Sequence, residues 1–155
     1  MAYIKTEEMA KPGPTGCIFC DKPEEQDDNA NLIVHRGKKA FVLMNLFPYN
    51  NGHLMIAPYK HTASLDDLDE DALLEIMTLC REAQHALAGA FRPEGYNLGM
   101  NLGKVAGAGI AEHLHLHIVP RWNGDTNFMP VLADTKVLPD SLQGSYNKIV
   151  EAWKK

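Results

Sequence analysis

A chain of 155 residues, 45% hydrophobic and 23% charged, has the length and composition of one globular domain with its own core. Its formal net charge is -5 at pH 7 and no lysine- or arginine-rich block is present, which argues against binding long nucleic acid through a basic patch. No apolar run approaches the roughly 18 residues of a membrane span, the first residues lack a signal-peptide pattern, and three cysteines are too few for a disulfide framework, so the expectation is a soluble cytoplasmic protein with no membrane partner.

In chain order, residues 1–16, with Pro12, Gly13 and Pro14, read as an irregular N-terminal arm, and residues 17–155 as a single domain. "DKPEEQDDNAN" (Asp21–Asn31) reads as an acidic, turn-rich loop. "LIVHR" and "KAFVLMN" read as strands of a hairpin around Gly37, and "GHLMIAP" (Gly52–Pro58) as a third strand. The "NLFPYNNG" between them, with Pro48 and its Asn-Asn-Gly run, is a loop. "LDEDALLEIMTLCREAQHALAGAF" is the clearest helix: Leu73, Ile76, Met77, Cys80, Ala83 and Leu87 recur at three- and four-residue steps. Asp69 is placed to cap it, and Pro93 and Gly95 stop it. "YNLGMNL" reads as a fourth strand, "GKVAGAGIAE" as a glycine-rich loop, and "PDSLQGSYNKIVEAW" as a shorter second helix. Consecutive strand pairs with helices packed on them predict an α+β fold with a mainly antiparallel sheet.

Chemistry concentrates in "HLHLHIVP". On a strand, alternate side chains share a face, so His113, His115 and His117 line one side while Leu114, Leu116 and Ile118 anchor the other. Histidine titrates near neutrality and binds metals, so the residues alone admit a nucleophile site, a metal site, or both. Cys17 and Cys20 form a C-x-x-C pair that fits half a tetrahedral zinc site better than a redox pair, since a proline and an acidic loop follow it. The partner ligands fall among His35, His53, His61, His85 and the triad, with His85 mid-helix the poorest candidate; spacing alone does not choose. The loop from Gly103 to Gly109 lacks the Gly-Lys-Ser/Thr ending of a P-loop and precedes a strand, so its glycines are read as letting backbone amides approach a phosphate.

Two motifs, "HLHLHIVPR" and "NLFPYNNGHLMIAPYKH" (Asn45 to His61), resemble the histidine triad (HIT) family of nucleotide hydrolases and transferases over roughly Cys17 to Arg121. The resemblance implies a HIT-like sheet with one long helix, a shorter C-terminal helix and a C-terminal extension over 121–155. It implies that His115 is the nucleophile, forming a nucleotidyl-histidine intermediate. It implies that His117 and His53 contact phosphate oxygens, that Asn45 takes the ribose hydroxyls, that Leu43 and Leu46 sandwich the base, and that amides around Gly107 and Gly109 serve the phosphate. It further implies a structural zinc on Cys17, Cys20, His61 and His113, and a homodimer through the long helix and the strand after it.

One departure stands out. Many members carry Gln or Ser just before the triad, where this chain has Gly109 and Ile110. The tail "RWNGDTNFMPV" resembles the longer branch that includes diadenosine tetraphosphate phosphorylases, with the loop from Trp122 to Phe128 closing over the site. The expected activity is therefore cleavage of the phosphate chain of dinucleoside polyphosphates, diadenosine tetraphosphate first, with phosphate or water as acceptor. The rival readings are a nucleoside phosphoramidate hydrolase, a metalloenzyme with catalytic zinc on the triad, and a nucleotide-binding module without turnover.

Overall fold

The computed structural model describes residues 13–126 and 138–155; residues 1–12 and 127–137, including Asn127 and Phe128 of the proposed closing loop, lie outside the described residues. The described strands are β1 (Ile33–Arg36), β2 (Ala40–Met44), β3 (Leu54–Pro58), β4 (Gly95–Met100) and β5 (Leu116–Arg121). They form one sheet in the order β1-β2-β3-β5-β4, with every neighbouring pair antiparallel. The α-helices are α1 (Ile18–Glu24), α2 (Asp28–Asn31), α3 (Glu70–Phe91) and α4 (Leu142–Trp153). This is the α+β architecture expected, with the long and the C-terminal helix in place.

Every residue of β2 and β3 is buried, because both faces of the sheet centre are covered. On one face Val42, Met44, Leu54, Ile56, Leu116 and Ile118 pack under α3 and α4. On the other, Phe41, Leu43, Met55 and Ala57 pack with Cys17, Phe19 and Ile33. The register sets Leu43 beside Met55 and Met55 beside His117, so these three side chains share the second face. Leu43, Met55 and His117 are thus delivered to the face away from the long helix.

Helix α3 begins where the Asp69 carboxylate accepts the Ala72 amide at 2.8 Å. It buries Ala72, Ile76, Leu79, Cys80, Ala83, Ala86 and Leu87, a stripe at helical spacing, and ends at Arg92 in the left-handed region. Glu75 on this helix accepts the amides of Lys38, Lys39 and Ala40, which ties the β1–β2 turn to the helix. Helix α4 is capped by Ser141 and anchored by Tyr146, whose hydroxyl donates to the Ile33 carbonyl at 3.1 Å. Among the described residues no helix is long and apolar enough to cross a membrane.

Two expectations are corrected. The stretch 21–31 is not a plain loop: it holds most of α1, with Pro23 inside it, and all of α2. Asp27 caps α2 by accepting the Ala30 amide, and Phe19, 1% exposed, packs α1 onto the sheet face, a tertiary contact that local turn residues do not announce. The ladder of β5 begins at Leu116, not at His113. The Leu114 amide instead donates to the Thr62 carbonyl at 2.7 Å, so His113 and His115 sit just ahead of the paired strand.

Gly52 has φ +74, and a Cβ placed there would lie 3.0 Å from both Leu87 Cδ2 and Phe91 Cε2. Gly52→Ala combines left-handed strain with that crowding, so urea denaturation should show a loss of about 1–3 kcal/mol. An unchanged midpoint would contradict the tight seat of this loop on α3.

Candidate functional site

A cavity of about 460 Å³ opens on the second face of the sheet. Leu43, Asn45, Leu46, Gly107, Gly109, His115 and His117 line it together, although they come from β2, the loop after it, the glycine-rich loop and the triad. Ile18, Phe19, Lys22, Phe47, Tyr49, Met55 and Ile110 complete the wall. The lining is mostly apolar with a few convergent polar groups, the usual make-up of a small-molecule site. Gly103 and Gly107 both take φ +85, a conformation that glycine adopts without strain, and Gly107 lines the cavity.

The triad side chains have separate surroundings. The His115 Nδ1 donates to the His113 carbonyl at 2.9 Å, because a carbonyl oxygen only accepts. The proton is thereby held on Nδ1, and Nε2 keeps its lone pair. The Phe19 ring lies 4.7 Å from His115 and 5.2 Å from His113, fixing both rings from the α1 side. His117 stacks near Tyr49 at 5.8 Å between ring centroids, and its Nδ1 is 2.9 Å from His53 Nε2. His53 is fully buried behind His117; its Nδ1 accepts the Tyr49 amide at 3.0 Å and lies 3.3 Å from Asn45 Nδ2. The Asn45 Oδ1 accepts the Phe47 amide at 2.9 Å, which holds that side chain at the cavity rim.

Cys17, Cys20, His61 and His113 form one cluster, their donor atoms all within 4.8 Å of one another. The Cys17 Sγ is 3.3 Å from His113 Nδ1, and Cys20 Sγ is 3.4 Å from His61 Nδ1 and 3.6 Å from His113 Nδ1. Tetrahedral zinc with ordinary bond lengths needs sulfur–nitrogen edges of ~3.5 Å. The His113 Nε2 donates to the Pro58 carbonyl at 2.8 Å, which leaves Nδ1 bare to face the thiols. Burial, with Cys17 beside it, pushes the Cys20 thiol up to about 11. The donor set, spacing and tautomer all fit a metal ion. Of the triad, only His113 belongs to this cluster among the described residues, and His115 stands outside it.

The other histidines lie elsewhere: His35 stacks on Trp153 at 5.0 Å, and His85 is exposed on α3. Sequence reasoning missed Phe19, Lys22, Tyr49 and Asn50. The Lys22 ammonium donates to the Asn31 carbonyl at 3.1 Å at the edge of the cavity, and burial lowers its proton affinity. Asn50 donates from Nδ2 to the Pro120 carbonyl at 3.1 Å and to Asp125 Oδ2 at 2.8 Å. An aromatic residue between two spaced cysteines was a usable signal for Phe19. Nothing in the local sequence marks Lys22, Tyr49 or Asn50.

Burial lowers the proton affinity of His113 and His115; burial, and then the neighbouring His115, hold His117 down to about 4. Between about 4 and the ordinary 6.5 an unfolded histidine binds protons that the folded one refuses, so this group makes stability fall as pH falls through that window. An NMR titration of the His117 ring should give a midpoint near 4, and a midpoint at or above 6.5 would contradict its neutral, buried state.

The HIT domain family profile matches residues 26–124. An AP-4-A phosphorylase from Mycobacterium tuberculosis is 40% identical over 135 residues, spanning 87% of this chain and 69% of that protein. An adenosine 5'-monophosphoramidase from Saccharomyces cerevisiae is 29% identical over 121 residues, spanning 77% of this chain and 72% of that one. A crystal structure of a zinc-bound histidine triad family protein from Mycobacterium smegmatis shares the fold with a TM-score of 0.73 at 23% identity, over 90% of this chain and 94% of its own. With the triad, the Gly-His loop and the profile match in agreement, this chain belongs to the HIT domain family, whose nucleotide hydrolases and transferases its motifs resemble.

Proposed function

We propose that the protein cleaves the phosphate chain of dinucleoside polyphosphates, diadenosine tetraphosphate above all, through a nucleotidyl-His115 intermediate. The observation that carries this reading is the bond from His115 Nδ1 to the His113 carbonyl, which leaves a bare Nε2 on a ring lining the cavity. That nitrogen attacks the α-phosphorus. A P–N bond forms as the P–O bond to the rest of the chain breaks, and ATP departs from diadenosine tetraphosphate. Inorganic phosphate then attacks the adenylyl group, the P–N bond breaks, and ADP leaves with the imidazole restored; water in the same role yields AMP. Positioning and charge stabilisation dominate phosphoryl transfer, and a neutral imidazole in one tautomer meets the first need.

His117 contacts the phosphate oxygens; His53, expected from the sequence to contact them too, is fully buried behind His117 and acts through it, and the amides around Gly107 and Gly109 approach the same charge. Asn45 takes the ribose hydroxyls. Leu43 and Leu46, with Ile18 and Phe19, enclose the base. The phosphorylase name of the Mycobacterium tuberculosis relative supports phosphate as the acceptor, as does Ile110 where many members place a polar side chain. The yeast phosphoramidase favours a second reading, hydrolysis of a nucleoside phosphoramidate by the same His115.

Cys17, Cys20, His61 and His113 would hold a structural zinc, which would tie α1, the segment after β3 and the triad together through four ligands. Residues 17–155 act as one domain, since α4 packs on α3 and β1. Leu74 and Met77 on α3 and Leu98 on the edge strand β4 expose apolar surface, which supports a homodimer over that edge. Three free cysteines suit a reducing, cytoplasmic setting.

Diadenosine tetraphosphate incubated with phosphate should give ADP plus ATP, resolved by chromatography, with much slower cleavage when phosphate is left out. AMP plus ATP at an undiminished rate would make the protein a hydrolase. His115→Ala should lower kcat by roughly 10³-fold or more while the circular dichroism spectrum and nucleotide binding persist. Near-normal turnover in that folded variant would remove the covalent route. Elemental analysis of tag-free protein should find one zinc per chain, and chelation should lower the melting temperature; a metal-free protein of equal stability would contradict the zinc assignment.

A further inference from the structure

We infer that Asn50 and Asp125 are positioning residues that fix the proton order along the line from the Tyr49 amide through His53 to His117. The line begins with a group of known polarity. A backbone N–H only donates, so the Tyr49 amide, 3.0 Å from His53 Nδ1, makes that nitrogen the acceptor. The Asn45 Nδ2 at 3.3 Å from the same nitrogen agrees. The neutral His53 then carries its proton on Nε2 and donates it toward His117 Nδ1 at 2.9 Å. His117, with its Nδ1 accepting, carries its own proton on Nε2, on a ring that lines the cavity. His115 has the opposite order, Nδ1 protonated and Nε2 bare. One lone pair and one N–H therefore stand on neighbouring rings, 4.7 Å apart between centroids.

The whole order depends on where the Tyr49 amide sits, and Asn50 is the next residue. Its carbonyl accepts the His53 amide at 3.2 Å, and its Oδ1 accepts the Asn51 amide at 3.1 Å. Its Nδ2 reaches across to the end of β5, onto the Pro120 carbonyl and Asp125 Oδ2. Asp125 is fixed in turn by both arms of Arg121, at 2.6 and 2.7 Å, and by the Trp122 amide at 3.2 Å. Arg121 also donates to Asn97 Oδ1 on β4 at 2.6 Å. The edge strand β4, its neighbour β5 and the loop before β3 are thereby locked around one carboxylate, four residues beyond the end of β5 and outside the cavity lining.

The effect on turnover rests on the reading of His117 as a phosphate contact; the proton order does not, and is measured without substrate. In ¹⁵N spectra of histidine-labelled protein at neutral pH, His53 and His117 should each show a protonated Nε2 and a bare Nδ1. Asn50→Ala should mix the tautomers of both rings and lower kcat for diadenosine tetraphosphate about tenfold with KM nearly constant. Asp125→Ala should act in the same direction, and the double variant should be no worse than the worse single one. If Asn50→Ala does not fold, the near-isosteric Asp125→Asn reads the same quantities. A variant that is less stable yet keeps both ¹⁵N patterns and kcat would overturn the inference, as would a wild-type His53 protonated at Nδ1. Failure of the wild type to turn over diadenosine tetraphosphate would sink the proposed function, and the ¹⁵N patterns alone would then decide this inference.

Discussion

A sheet buried on both faces at its centre is the constraint on which the rest of the molecule depends. β2 and β3 carry no exposed position, so their apolar residues are sorted between two cores by strand alternation alone. One core receives α3 and α4 and makes the sheet rigid. The other receives α1 and leaves a cavity beside it. A slip of one residue in the β3–β5 pairing would send His117 to the helix side and Ile118 into the cavity. Helix packing on one face therefore holds the register that presents histidine on the other.

On that face the three triad histidines share a spacing and almost nothing else. His113 is drawn to the Pro58 carbonyl and the two thiols. His115 turns its Nδ1 to the carbonyl of His113, and His117 is met by His53. Each imidazole takes its surroundings from what lies against one nitrogen: thiols for His113, a backbone carbonyl for His115 and a second imidazole for His117. Burial lowers the proton affinity of all three, against the carbonyl bonds of His113 and His115, which raise it.

The two sides of the site are also tied to each other. Phe19 touches His113 and His115 at once, and it stands between the two cysteines. The order of the cysteine turn is thus carried to the His115 ring by packing against Phe19. At the opposite end the carboxylate of Asp125 gathers β4, β5 and the loop before β3 through charge-assisted hydrogen bonds. The cysteine cluster and Asp125 flank the histidine run, one at each end, both outside the cavity lining.

Much of this was legible in the residues themselves. The helix at 70–91 showed its Asp69 cap and the buried positions Ile76, Cys80, Ala83 and Leu87, and the strands of the hairpin showed their β-branched and aromatic runs, because amphipathic periodicity and capping are local; Leu73 and Met77 of the expected stripe are instead exposed, since the buried face is rotated onto Ala72, Leu79 and Ala86. The motifs around Asn45–His61 and His113–Arg121 marked the side chains that line the cavity or cluster with the cysteines. Tertiary structure decided the rest. It made helices of 18–24 and 28–31, where Pro23 and the acidic run read as loop, because the packing of Phe19 outweighs weak local propensity. It placed His53 behind His117, brought Lys22 to the cavity, and joined Asn50 to Asp125 across 75 residues of chain. Residue type and spacing determine what chemistry a side chain can do; which of its nitrogens is bare, and what it faces, is set by atoms distant in sequence that only folding brings within hydrogen-bond reach.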